Sequence, residues 1–159
     1  MFKHIMVLFF YASLLLPFPP GIASEKEYSY SSGDLVIENP WARESIGTIR
    51  PSAAYMTIRN SGTAADTLIR IEAPVAGIAQ LHKMEMKENI STMTPENSLS
   101  IPELANVTLA PNGRHIMLMK LTRALSTGEH FPLTLVFERA GPIEVWVRVF
   151  HLGSSGPEK

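Results

Sequence analysis

The 159-residue sequence has no cysteine. This excludes a disulfide framework, an iron–sulfur cluster, a thiolate zinc site, a dithiol redox motif and covalent haem attachment of the c type. An excess of charge of either sign is also missing. Fourteen Lys and Arg stand against fifteen Asp and Glu, a formal net charge of −1, so nothing marks a nucleic-acid partner. No segment keeps a helical period long enough to form an extended amphipathic helix; residues 122–128 allow at most a turn. What remains is a chain that is 45% hydrophobic and carries eight Met and five His. Its length suits one domain whose core needs no covalent staple, and any chemistry it performs must come from imidazole, thioether and carboxylate.

Residues 1–24 have the layout of a secretory signal peptide. Lys3 and His4 precede an apolar run over 5–16, followed by Pro17, Pro19, Pro20 and the small residues at 21–24. Cleavage after Ala23 or Ser24 is expected, leaving an exported domain over 25–159. The run is too short to span a bilayer, and no cysteine is available for a lipid anchor. The expected location is the periplasm.

The segments 34–38, 53–59, 66–72, 78–86, 107–109, 115–121, 133–137 and 143–150 are short, alternating or β-branched, and bounded by Gly, Pro, Asn or Ser. Spacing of this kind predicts an antiparallel sandwich or barrel. The stretch Ala110-Pro111-Asn112-Gly113 reads as a type I turn and Asn60-Ser61-Gly62 as a second turn. Residues 25–33 and 152–159 read as loose ends. Met56, Trp146 and Phe150 are expected in the core, and Trp41 and Arg43 in a packed loop. Lys83, Glu85, Lys87 and Glu88 read as a solvated hairpin face.

Five of the eight methionines, Met84, Met86, Met93, Met117 and Met119, fall in one stretch with His82 and His115. Period-two alternation puts His82, Met84 and Met86 on one face of their strand and His115, Met117 and Met119 on one face of theirs. A hairpin turn centred between Lys87 and Glu88 would set Met93 directly opposite His82, with Cβ atoms about 5 Å apart. Two imidazoles and two thioethers, with no thiolate or carboxylate, select a soft, singly charged ion such as Cu(I) over Zn, Ca or Mg. Lack of thiolate also argues against a blue-copper electron-transfer centre. Met at alternate strand positions is also ordinary core filler, so the residues alone leave a packing role open. His130 and His151 lack partners by spacing.

The spacing His82, ten residues, Met93, twenty-one residues, His115, one residue, Met117 resembles the H-x10-M-x21-H-x-M pattern of periplasmic copper chaperones of the PCuAC type. The segments NPWARES, AAYMTIRNSG, AADTLIRIEAPVAG, LHKMEM, LAPNGRHIMLMKL and GEHFPLTLVFE also resemble that family in the same order, over roughly residues 35–149. The resemblance implies a single-domain, all-β, cupredoxin-like Greek-key antiparallel β-sandwich that binds Cu(I) through His82, Met93, His115 and Met117. It implies delivery of copper to cytochrome c oxidase assembly, at the binuclear site of subunit II or through another assembly factor, with no catalysis. Met84, Met86 and Met119 lie outside the four-residue pattern and read as packing or an outer sulfur shell. Three rivals stand beside this reading: a copper sequestration or resistance protein, a structural sandwich that binds no metal, and a redox enzyme using the copper, against which stands a four-ligand set that leaves no open position for chemistry.

Overall fold

A computed structural model describes residues 28–88 and 90–157, so the expected signal peptide lies outside the described residues. Among them are eleven strands and no helix: β1 (Ser29–Ser32), β2 (Leu35–Arg43), β3 (Ser52–Asn60), β4 (Asp66–Glu72), β5 (Ala76–Lys87), β6 (Ile90–Pro95), β7 (Leu99–Ile101), β8 (Ala105–Leu109), β9 (Arg114–Leu121), β10 (His130–Phe137) and β11 (Gly141–Phe150). They form one continuous sheet in the order β6-β5-β9-β3-β2-β11-β10-β4-β7, with β1 added to β2 and β8 to β3. Every pairing is antiparallel except β2 with β11.

Forks let this sheet fold over its own core. The first half of β2 pairs with β1 and its last residues with β11. In β3, residues 52–54 pair with β9, whereas residues 56–60 pair with β8. The inner face is apolar by alternation: Ile116 and Leu118 from β9, Leu133 and Leu135 from β10, and Val145, Val147 and Val149 from β11 are all buried. Each such side chain contributes about 1.5–3 kcal/mol when fully removed from water, so a core of this composition dispenses with disulfides.

A bulge exchanges the faces of the second half of β2. Leu35 and Ile37 of β2 point inward, but the register shifts between Glu38 and Trp41, with Asn39 at φ 49°. After it Ala42 points inward and Trp41 lies on the outer face, paired with Tyr55.

Several local expectations change. Residues 29–32 pair with β2 and are not loose. The polar strand β6 and the three-residue β7 escape a hydrophobic pattern search. Trp146 is 48% exposed, because it alternates with Glu144 and Arg148 on the outer face while Ile143, Val145 and Val147 fill the core. Phe150 shares that outer face, half-buried beside Trp41. The turn at Ala110 closes as expected, with Gly113 N–H donating to the Ala110 carbonyl at 3.1 Å. Its third residue, Asn112, has φ 65°, which belongs to type II and not type I.

The segment after β11 is pinned. The Arg43 guanidinium donates two hydrogen bonds to the Ser154 carbonyl, at 3.1 and 3.0 Å. Gly156 packs on the Trp41 indole so closely that a Cβ there would stand 3.4 Å from the ring. Trp41 and Arg43 pack as expected, but within strand β2 and not in a loop, against a tail the sequence had suggested was free. Met56 is buried as expected.

Candidate metal centre

The outer face of β6-β5-β9-β3 carries the imidazoles and thioethers. His82 on β5 and His115 on β9 are direct cross-strand partners, with ring centroids 6.1 Å apart and planes at 41°. Met117 lies two residues beyond His115 on the same face and diagonal to His82, since Gln80 is its direct partner. All four predicted ligands therefore share one face of three consecutive strands.

The hairpin register differs from the one expected. Lys87 pairs with Ile90, so the turn is centred one residue later than predicted, and Glu88 takes a left-handed φ of 49°. The slip is two residues, which preserves every side chain's face. It places Met84, not His82, opposite Met93, while Pro95 is the partner of His82. Met93 is consequently diagonal to His82, roughly 7–8 Å away at the Cα level. His82 sits at the centre, with His115 directly across and a thioether strand-diagonal on each side.

The two imidazoles are held differently. His115 is buried, 4% exposed, and its Nδ1 lies 3.1 Å from the Gly113 carbonyl oxygen. With Nδ1–H donating there, Nε2 keeps its lone pair. A backbone carbonyl behind a ligating histidine orients the ring in this way. In His82 both ring nitrogens are buried and neither has a hydrogen-bond partner. Buried polar atoms are otherwise paired almost without exception, so these nitrogens fit a bound cation. Burial, and then the neighbouring His115, push the His82 pKa below its ordinary value, which keeps the ring in the neutral form a metal needs.

The surrounding charges neutralise one another. Arg114, next to His115, forms a double hydrogen bond to Glu96 at 2.8 and 3.2 Å. Lys83 and Lys87 both pair with Glu85, as the solvated hairpin face predicted. Among the described residues no three His, Asp or Glu side chains converge as a metal site. Thioethers stand beside the two imidazoles on this face, a donor set suited to a soft ion.

Sequence reasoning passed over Tyr55. It is buried and belongs to a row of rings that runs from the histidines along the outer face: His115 to Tyr55 at 6.3 Å, Tyr55 to Trp41 at 4.4 Å, and Trp41 to Phe150 at 6.0 Å. The wall beside His115 is thus aromatic. Tyr55 and Trp41 could have been linked to the site only by knowing how β3 pairs with β2 and β9, which alternation within one strand does not reveal.

The LpqE-like family model, described as "Putative lipoprotein LpqE-like", matches residues 35–149. One curated relative, "Putative lipoprotein Lxx21020" of Leifsonia xyli subsp. xyli, is 32% identical over 102 residues, 62% of this chain; the chain spans 61% of that relative's length. The copper-bound PCuAC domain from PmoF2 superposes with a TM-score of 0.68 at 28% identity, over 78% of this chain and 98% of that domain. The Cu(I) form of DR1885 from Deinococcus radiodurans superposes with a TM-score of 0.52 at 30% identity, over 70% of this chain and 76% of that one. The likeness agrees with the all-β, cupredoxin-like fold expected from the sequence.

Proposed function

The chain belongs to the LpqE-like family, with PCuAC copper-chaperone domains as its structural relatives, and from that premise we propose that it is an exported, non-enzymatic Cu(I) carrier that supplies copper to cytochrome c oxidase assembly. Its cargo is held by His82, Met93, His115 and Met117. The observation that carries this reading is the opposed imidazole pair, one ring fixed through Gly113 and the other with both nitrogens buried and unpaired, flanked by thioethers. Export is supported by the signal-like leader and by the lipoprotein descriptions of the relatives. No helix among the described residues is long and apolar enough to cross a membrane.

The mechanism follows from ligand chemistry. Neutral thioethers bind Cu(I) without adding charge and resist protonation, so only the two imidazoles make binding pH-dependent. Met93 is 43% exposed whereas His115 is 4% exposed. An acceptor's ligand can therefore enter from the Met93 side, displacing one thioether while the buried histidine still holds the ion. The periplasm is the compartment proposed for this exchange, and the binuclear copper site of oxidase subunit II, or an assembly factor serving it, is the proposed acceptor.

A deletion strain tests the delivery step. The proposal predicts lost oxidase activity that added copper restores, and that the His115→Ala gene does not restore. Copper sensitivity with normal oxidase activity would instead identify a sequestration protein.

A further inference from the structure

The β5–β6 hairpin carries more sulfur than the four-ligand centre uses. Its ladder sets Met84 directly opposite Met93, and Met86 opposite Ser91. Met84, Met86 and Met93 thus lie on one face, Met86 diagonal to Met93 across the strand pair. Exposure rises along the hairpin: Met84 is half-buried, Met93 is 43% exposed and Met86 71%. The charged residues between them, Lys83, Glu85 and Lys87, pair among themselves on the opposite face. Met is flexible and polarizable, and it is over-used at binding surfaces.

Resting on the Cu(I) reading above, we propose that Met84, Met86 and Met93 form a second, three-thioether Cu(I) position on the hairpin, which loads the His82–His115–Met117 position through the shared ligand Met93. Met86 is four residues from His82, about 13 Å along the strand, and side chains stand roughly perpendicular to a sheet. The two groups therefore serve two positions and not one crowded site. In the transfer step the bonds from copper to the Met84 and Met86 sulfurs break while bonds to the His82 and His115 nitrogens and the Met117 sulfur form. Met93 stays bound throughout. Copper remains Cu(I), and with neutral imidazoles no proton moves.

Two measurements on the purified protein test the proposal, the first using Ag(I) as a redox-inert soft-ion probe and methionine methyl NMR as the readout. In the His82→Ala/His115→Ala variant, the Met84, Met86 and Met93 methyl signals should still shift with added Ag(I) while that of Met117 stays put. Because His115 is buried, that variant can fail to fold. The Met84→Leu/Met86→Leu variant, altered at positions outside the core, then carries the test. It should lose the hairpin position, so that Ag(I) in excess of one equivalent no longer shifts the Met93 methyl further, and its Cu(I) transfer to a soluble chelator should slow on the order of tenfold, the low end of the effect of disturbing a metal site's ligand surroundings. Unmoved Met84 and Met86 methyls in a folded protein, or wild-type transfer rates in the leucine variant, would overturn it. A wild-type protein whose methyls all ignore Ag(I), and which retains no Cu(I), would instead refute the copper reading itself.

Discussion

His82 and His115 face each other directly across the β5–β9 ladder, their ring centroids 6.1 Å apart. Only one of the two is anchored by the protein: His115 through the Gly113 carbonyl, while the His82 nitrogens are buried without partners. The pair is thus asymmetric, one ring fixed and the other without a polar partner, which on the proposed reading the cargo supplies.

Removing either member should weaken Cu(I) binding by at least the on the order of 10- to 100-fold typical of outer-sphere substitutions. His115→Ala should cost more than Met117→Ala, since a preoriented donor is lost. Met119→Leu, one step further along β9 opposite Ile78, should leave affinity unchanged. Anaerobic titration of the three variants checks the ranking.

Acid should destabilise the metal-free protein through His82. Its folded-state pKa is pushed below the ordinary 6.5 by burial and then by His115. The unfolded chain therefore binds more protons as pH drops, and stability rises with pH. This contribution is fully present above about 6.5 and is lost as pH falls through the lowered folded value. Urea midpoints measured downward from neutral pH should decline, and His82→Leu should flatten that decline.

Core and outer-face positions should part company. Trp146→Ser removes an exposed ring and should change stability within about ±0.5 kcal/mol. Leu118→Ala, beneath the site on β9 and fully buried, should cost about 2–5 kcal/mol while copper stoichiometry stays at the wild-type value in the folded fraction. Chemical denaturation of both variants distinguishes them.

Arg43→Ala should release the segment after β11 by breaking its two bonds to the Ser154 carbonyl. Hydrogen bonds to charged groups are worth about 1.5–3 kcal/mol. Limited proteolysis should then trim the C-terminal residues, and Trp41 emission should shift to the red. Copper binding, which uses other residues, should survive.

Face parity was legible in the sequence and register was not. Alternation alone placed His82 with Met84 and His115 with Met117, because the period of a strand is fixed by its pleat. The pairing of Met93 depended on one residue of turn position, and moving the turn from between Lys87 and Glu88 to one residue later exchanged its partner without changing its face. Trp146 shows a different limit. Its ring suggested core, yet Glu144 and Arg148 on either side mark the outer face, and the β-branched residues between them had the stronger claim to the interior. β1 was invisible because its four residues are held by backbone pairing to β2 and not by an apolar pattern. The Asn39 bulge, which turns Trp41 outward toward Tyr55, depends on a positive φ that asparagine permits but does not announce.

Cu(I) binding by the imidazole pair and its flanking thioethers is the proposal on which the carrier function depends. The measurement that tests it most directly is an anaerobic competition titration of the purified protein against a Cu(I) chelator, repeated with His82→Ala, Met93→Ala, His115→Ala and Met117→Ala. The predicted result is stoichiometric Cu(I) retention by the wild type and weakened retention in each variant. Failure of the folded wild type to retain Cu(I), or retention indifferent to all four substitutions, would contradict it.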